Sequence, residues 1–233
     1  MNLPPADDRP ALIDMEVGVS LSRRRLASEI TGVATGLRAR GTRPGHVVAV
    51  LTDTISAHAL AVQTILAAGA VAAPLTVPDT AEDLARRLTD LDARMIVTTP
   101  KLAGLAVEAA EFSRVRQVVC FGEAEGTVDF ASLHSRGPIM LPGPSPLRDA
   151  LVLPDGRRLN HADLFSMMNR MDEPLRLLPS DVVLVGWCPD ASPHLSALIA
   201  LVLARGALLV AGGLHDARLV TVVAEPGRPP QRI

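Results

Sequence analysis

The chain has 233 residues, enough for a sizeable core, and a formal charge of −2, which supplies no basic field for a nucleic acid. Apolar residues make up 48%, mostly Ala, Leu and Val, while aromatics are 2% and tyrosine is absent, which argues against a protein that stacks bases on exposed rings. Cys120 and Cys188 stand far apart with no CxxC pair, and the histidines show no ligand spacing, so no metal site is expected.

The start, Met1 to Asp8, does not read as a signal peptide, and no apolar run is long enough to span a bilayer. With two isolated cysteines, the chain reads as a reduced, soluble, cytoplasmic protein without a membrane partner. Positive charge is almost wholly arginine, and Lys101 is the only lysine.

Taken in order, residues 10–14 and 17–21 read as two short strands joined by a turn. Ser22 is an N-cap for a helix to Arg40, with Leu26, Ile30, Val33, Ala34 and Leu37 on one face and Gly41 just past its end. The run Arg23-Arg24-Arg25 reads as a solvated face of that helix. Val47 to Leu51 is fully apolar, as in a strand covered on both sides. A helix over 56–68, a strand over 70–75, a helix over 81–90 capped by Thr80, a strand over 95–98, a helix over 101–110 and a strand over 117–121 follow. This alternation predicts crossover connections and one mostly parallel sheet with helices on both faces, an α/β fold.

Residues 134–147 are rich in Gly, Pro and Ser and read as a mobile loop. Ala150 to Leu153 then reads as a strand, Pro154-Asp155-Gly156 as a tight turn, and Asn160 or His161 as the start of a helix toward Met171. A strand, a loop and a helix N-terminus in that order often hold phosphate on the first free amides of the helix. Further strands are expected at 180–186, 207–211 and 219–224, a helix from 194 to 205, and a frayed tail at 226–233, all within one domain over 1–233.

Four segments in order resemble the adenylate-forming superfamily of acyl-CoA synthetases, luciferases and peptide-synthetase adenylation domains. SLSRRRLASEI (20–30) is similar to the family's LTYAEL segment, and GLRARGTRPGHVVAVL (36–51) to its GLRxxGVxPGDxVAVL pattern. ILAAGAVAAPLTV (65–77) and EDLARRLTDLDARMIVTT (82–99) continue the likeness. The resemblance implies a shortened N-terminal domain of such an enzyme. It also implies a Ser/Thr/Gly-rich loop ending in Pro-Lys-Gly between the strand at 150–153 and LNHADL (159–164), where the family cradles ATP phosphates. Here that loop has shrunk to Pro154, Asp155 and Gly156, followed by Arg157 and Arg158. Asp155 brings the wrong sign of charge for a triphosphate, and either arginine would only offset it.

Pro189-Asp190-Ala191-Ser192 fits the substrate-contacting FDxS motif of peptide-synthetase adenylation domains, and His194 stands about two positions from where acyl-CoA synthetases carry a histidine; lying in a loop after a buried strand, Asp190, Ser192 and His194 are the candidate substrate pocket. The plainer reading is that Asp190 and Ser192 cap the next helix, and that His161 is a capping or surface residue. No catalytic residue is assigned, and GxSxG is missing. The leading expectation is a degenerate, non-catalytic member with no cofactor, acting as a binding, regulatory or scaffold protein. A homodimer or a partner protein would cover the face left by the missing subdomain. The alternatives are an AMP-dependent ligase that uses ATP and Mg, alone or with a partner chain, and a small-molecule sensor of acyl or amino-acid ligands.

Overall fold

The computed structural model describes residues 7–137, 140–143, 145–186, 193–212, 220–224 and 228–232. Its elements in chain order begin with β1 (Pro10–Asp14), β2 (Val19–Ser22), α1 (Arg23–Ala39), β3 (Val47–Leu51), α2 (Ile55–Ala67) and β4 (Val71–Pro74). Next come α3 (Ala81–Asp90), β5 (Ala93–Thr98), α4 (Ala103–Glu111), β6 (Gln117–Cys120) and β7 (Val128–Asp129). The remainder is β8 (Asp149–Val152), β9 (Arg158–Asn160), α5 (His161–Leu175), β10 (Val182–Val185), α6 (Pro193–Arg205), β11 (Leu208–Ala211), β12 (Val222–Ala224) and β13 (Gln231–Arg232).

The strands divide into two mostly parallel sheets rather than one. A seven-stranded sheet has the order β7-β6-β5-β3-β4-β8-β9, and a six-stranded sheet the order β13-β12-β10-β11-β1-β2. The first strand of the chain pairs with one of the last, Leu12 opposite Leu209. Helices α1, α2, α5 and α6 lie between the sheets in one core with Leu12, Val48, Val97, Val183 and Leu209, while α3 and α4 cover the other face of the seven-stranded sheet. This sandwiching explains why α2 and α6 are apolar nearly all round: each meets a sheet on two sides, so a single stripe does not suffice.

Local chemistry sets the helix starts. The side chains of Ser22, Thr54 and Thr80 accept the N–H groups of Arg25, Ala57 and Asp83, satisfying amides that the helices leave unpaired. Gly32 and Gly36 of α1 face the segment around Leu133 and His134 so closely that a side chain at either would overlap it.

Three further sequence expectations change. Arg23 is buried, not solvated: its guanidinium donates to the Gly206 carbonyl and pairs with Asp7 at 3.1 Å. Only Arg24 and Arg25 of that run are exposed. The tail is held where it is described, because β13 pairs with β12 and Arg232 reaches Asp181 at 2.6 Å. The third change concerns the segment after the Pro154-Asp155-Gly156 turn.

Candidate functional site

That segment forms β9, which runs back antiparallel to β8 with Asp149 opposite Asn160. The result is a β-hairpin, and its geometry separates the two features that the linear order places together. Because β8 is parallel to β4, the turn lies at the carboxyl edge of the sheet. β9 then carries the chain back over three residues, roughly 10 Å at the usual strand rise, before α5 begins. Turn and helix N-terminus therefore lie at opposite ends of the hairpin and do not come together as the linear order suggests.

The turn is closed by its own atoms. Gly156 N–H donates to Leu153 O at 2.9 Å, and Leu153 N–H to Arg157 O at 2.8 Å. Gly156 has φ 82°, the left-handed conformation that a three-residue hairpin loop needs at its last position. Arg157 N–H and Nε donate to the Asp155 carboxylate at 3.0 and 2.7 Å, and Pro154 has no N–H at all. Hydrogen bonding from Arg157 holds the Asp155 carboxyl below its ordinary range, so it is anionic at neutral pH.

Arg158 turns away from the loop to pair with Asp149 at 2.9 Å. Its side chain also borders a groove of about 610 Å3 that holds Arg40, Arg94 and Arg116. Neither arginine is thus aimed at the space above the turn.

The N-terminus of α5 is equally occupied. Asn160 and Asp163 form a reciprocal capping box. His161 N–H donates to Arg148 O and Ala162 N–H to Pro146 O, both at 3.0 Å. All four leading amides, from Asn160 to Asp163, thus have partners within the chain. His161 is half-buried, and desolvation lowers its pKa, with Arg148 adding to the effect.

Of the predicted substrate pocket, Asp190 and Ser192 lie outside the described residues. His194 is exposed, the second residue of α6, the helix that connects β10 to β11. The hairpin belongs to the seven-stranded sheet, whereas His194 lies on α6, which joins β10 to β11 of the six-stranded sheet. Among the described residues no cluster of three His, Cys, Asp or Glu could hold a metal, and no helix is long and apolar enough to cross a membrane. Cys120 is a buried free thiol whose pKa is raised by burial, with Asp129 adding to the effect.

Two polar clusters escape the sequence reading. His58, on α2, is buried and meets Ser196 Oγ of α6 at 3.0 Å. Asp53, just past β3, accepts the Thr99 hydroxyl at 2.6 Å and lies 3.7 Å from Lys101 Nζ. The one lysine of the chain therefore sits at the carboxyl edge of the seven-stranded sheet, well away from the position of a phosphate-loop lysine.

Two layers of parallel sheet with helices between and outside them define the class: an α/β domain of the kind that begins adenylate-forming enzymes. The sequence profile of the AMP-binding enzyme family matches residues 4–148, and the chain belongs to that family. Among solved structures, a protein assigned as a long-chain-fatty-acid CoA ligase from Rhodopseudomonas palustris is similar over 94% of this chain and 60% of its own, with 21% identity and a TM-score of 0.82. Apo MatB from the same organism is similar over 94% of this chain and 46% of its own, with 22% identity and a TM-score of 0.76. A benzoate CoA ligase from Burkholderia xenovorans is similar over 86% and 41%, with 21% identity and a TM-score of 0.74. At these identities the likeness establishes the fold, and the chain spans 60% or less of each of these proteins. No curated protein matches the chain.

Proposed function

We propose that this chain is a non-catalytic member of the AMP-binding enzyme family and acts as a binding, regulatory or scaffold protein in the cytoplasm, without a cofactor. The observation that carries this reading is the self-closed hairpin at Pro154–Arg157. Carboxylate adenylation requires a set of amides and cations around a triphosphate and charge stabilisation as pyrophosphate leaves. At this hairpin the amides are spent on the turn and on Asp155, both arginines are paired with carboxylates, and the side chain at the tip is an anion.

Self-association completes the reading. The outer face of the six-stranded sheet carries an apolar row, Ile13 beside Val210, Val210 beside Leu184 and Leu184 beside Val223, with Val182 and Leu208 paired next to it. Ile13, Val182, Leu208 and Val223 are only half-buried, and none of the row belongs to either core. A second copy of the chain placed there would remove this surface from water.

The competing reading is ligase activity with a second polypeptide supplying what the longer relatives have. It is favoured by one fact: the similar solved structures described above are ligases or, in the case of MatB, longer proteins of the same fold. Acid-dependent exchange of labelled pyrophosphate into ATP separates the two. The purified chain is expected to give no exchange above the acid-free background with any member of a panel of aliphatic, aromatic and amino acids. Clear exchange with any one of them overturns the non-catalytic reading.

A further inference from the structure

We propose that the crevice between the carboxyl ends of β3 and β5 is a binding site for a small, uncharged, largely apolar molecule. The site is separate from the hairpin and independent of whether the chain is catalytic. The topology places it. β3 and β5 are neighbours in the sheet, but β3 continues into α2 on the face toward the six-stranded sheet, whereas β5 continues toward α4 on the opposite face. Adjacent parallel strands whose connections leave in opposite directions open a crevice beyond their carboxyl ends, and open α/β sheets bind their ligands in such crevices.

A cavity of about 360 Å3 occupies this place, within the size range of small-molecule pockets. Its walls come from three parts of the chain: Val17 and Val19 of the β1–β2 hairpin, Ala57 and Leu60 of α2, and Phe121 beyond β6. Phe121 is stacked on Phe130, ring centroids 4.1 Å apart, which fixes the orientation of that wall. The walls are apolar, so the body of the ligand is too.

The polar groups at the mouth decide the charge of the ligand. Asp53 and Lys101 stand 3.7 Å apart and offset one another, and the second Asp53 oxygen takes the Thr99 hydroxyl at 2.6 Å. At the start of α2 two leading amides are already taken: the Ser56 N–H by Asp14 Oδ2 at 3.0 Å and the Ala57 N–H by Thr54 Oγ1 at 3.3 Å. An acid would meet Asp53 beside Lys101 and an amine would meet Lys101 beside Asp53, so the attraction of one is offset by the repulsion of the other after the ligand has given up its hydration. A hydroxyl or carbonyl loses little on entry and finds a donor in the exposed Lys101 ammonium.

The test uses the full-length chain labelled with 15N and titrated with 1-octanol, octanoate and octylammonium in parallel. Octanol is expected to shift the amides of residues 54–57, Thr99 and Lys101 saturably, and each charged analogue to bind at least roughly tenfold more weakly. Val17 is half-exposed in a turn, so Val17→Arg is expected to leave the remaining spectrum unchanged while abolishing the octanol shifts. Phe112→Arg, at an exposed position beyond α4, is expected to leave them intact. The proposal is overturned if octanol gives no saturable shift, if the shifts fall elsewhere, if Val17→Arg leaves them in place, or if either charged analogue binds more tightly than the alcohol.

Discussion

Asn160 and Asp163 close the start of α5 on each other: the Asp163 N–H donates to Asn160 Oδ1 and the Asn160 N–H to Asp163 Oδ2, both at 2.9 Å. The pair spends on stability the amides and dipole that an anion would otherwise use. Asn160→Ala leaves the Asp163 amide without its partner and is expected to lower stability by about 1 kcal/mol. Urea unfolding followed by circular dichroism measures this, and an unchanged midpoint would show that the cap contributes nothing.

Arg23 and Arg24 are neighbours in sequence with opposite roles. The Arg23 side chain is 3% exposed and serves both the Gly206 carbonyl and Asp7, whereas that of Arg24 is 62% exposed and meets only Asp8. Arg23→Met strands a buried carbonyl and is expected to destabilise by about 2 kcal/mol. Arg24→Met breaks a solvated pair and is expected to change stability by less than about 0.5 kcal/mol. Equal effects in a thermal or urea melt would contradict the assignment.

His58 makes stability depend on pH. Burial lowers its pKa from 6.5 to about 4 in the folded chain. Between these values the unfolded chain takes up a proton that the folded chain refuses, so stability is fully present above pH 6.5 and is lost as the pH falls toward 4. The loss between pH 7.5 and pH 5 is expected to be about 2 kcal/mol. His161, whose pKa is also lowered, adds in the same direction. The lowered carboxyls of Asp7, Asp92, Asp155 and Asp181 act only in more acid solution. Urea midpoints at the two pH values should differ less in His58→Gln, and an identical difference would assign the effect elsewhere.

What the sequence makes legible follows from how local each cause is. Ser22 and Thr80 are recognisable caps because the hydrogen bond they make spans three residues, and Val47–Leu51 announces a doubly covered strand by its composition. The second sheet is not legible in the same way, since it exists only once Leu12 meets Leu209 from the far end of the chain. β9 is short and polar, Arg158-Leu159-Asn160, and its pairing with β8 leaves no periodic trace. Missing it joins the turn to the helix and suggests a phosphate site that the hairpin in fact divides. His58 passes as one more residue of an apolar helix, and Lys101 reveals its neighbourhood only when β5 and β3 lie side by side.

The apolar row on the outer sheet predicts a self-associating chain. Sedimentation equilibrium at micromolar concentration is expected to show a dimer, and Leu208→Glu, which places a charge in the row, is expected to give a monomer with unchanged circular dichroism. A wild-type chain that stays monomeric at every concentration would contradict the prediction.

The Pro154–Arg157 turn uses its amides and arginines within the hairpin, which is expected to leave none for a triphosphate. Calorimetric titration of the full chain with ATP and magnesium tests this expectation most directly. The expected result is no saturable heat up to millimolar nucleotide, with the amides of Gly156 and Arg157 unmoved in a parallel 15N spectrum. Saturable binding with shifts at those two residues would contradict the account.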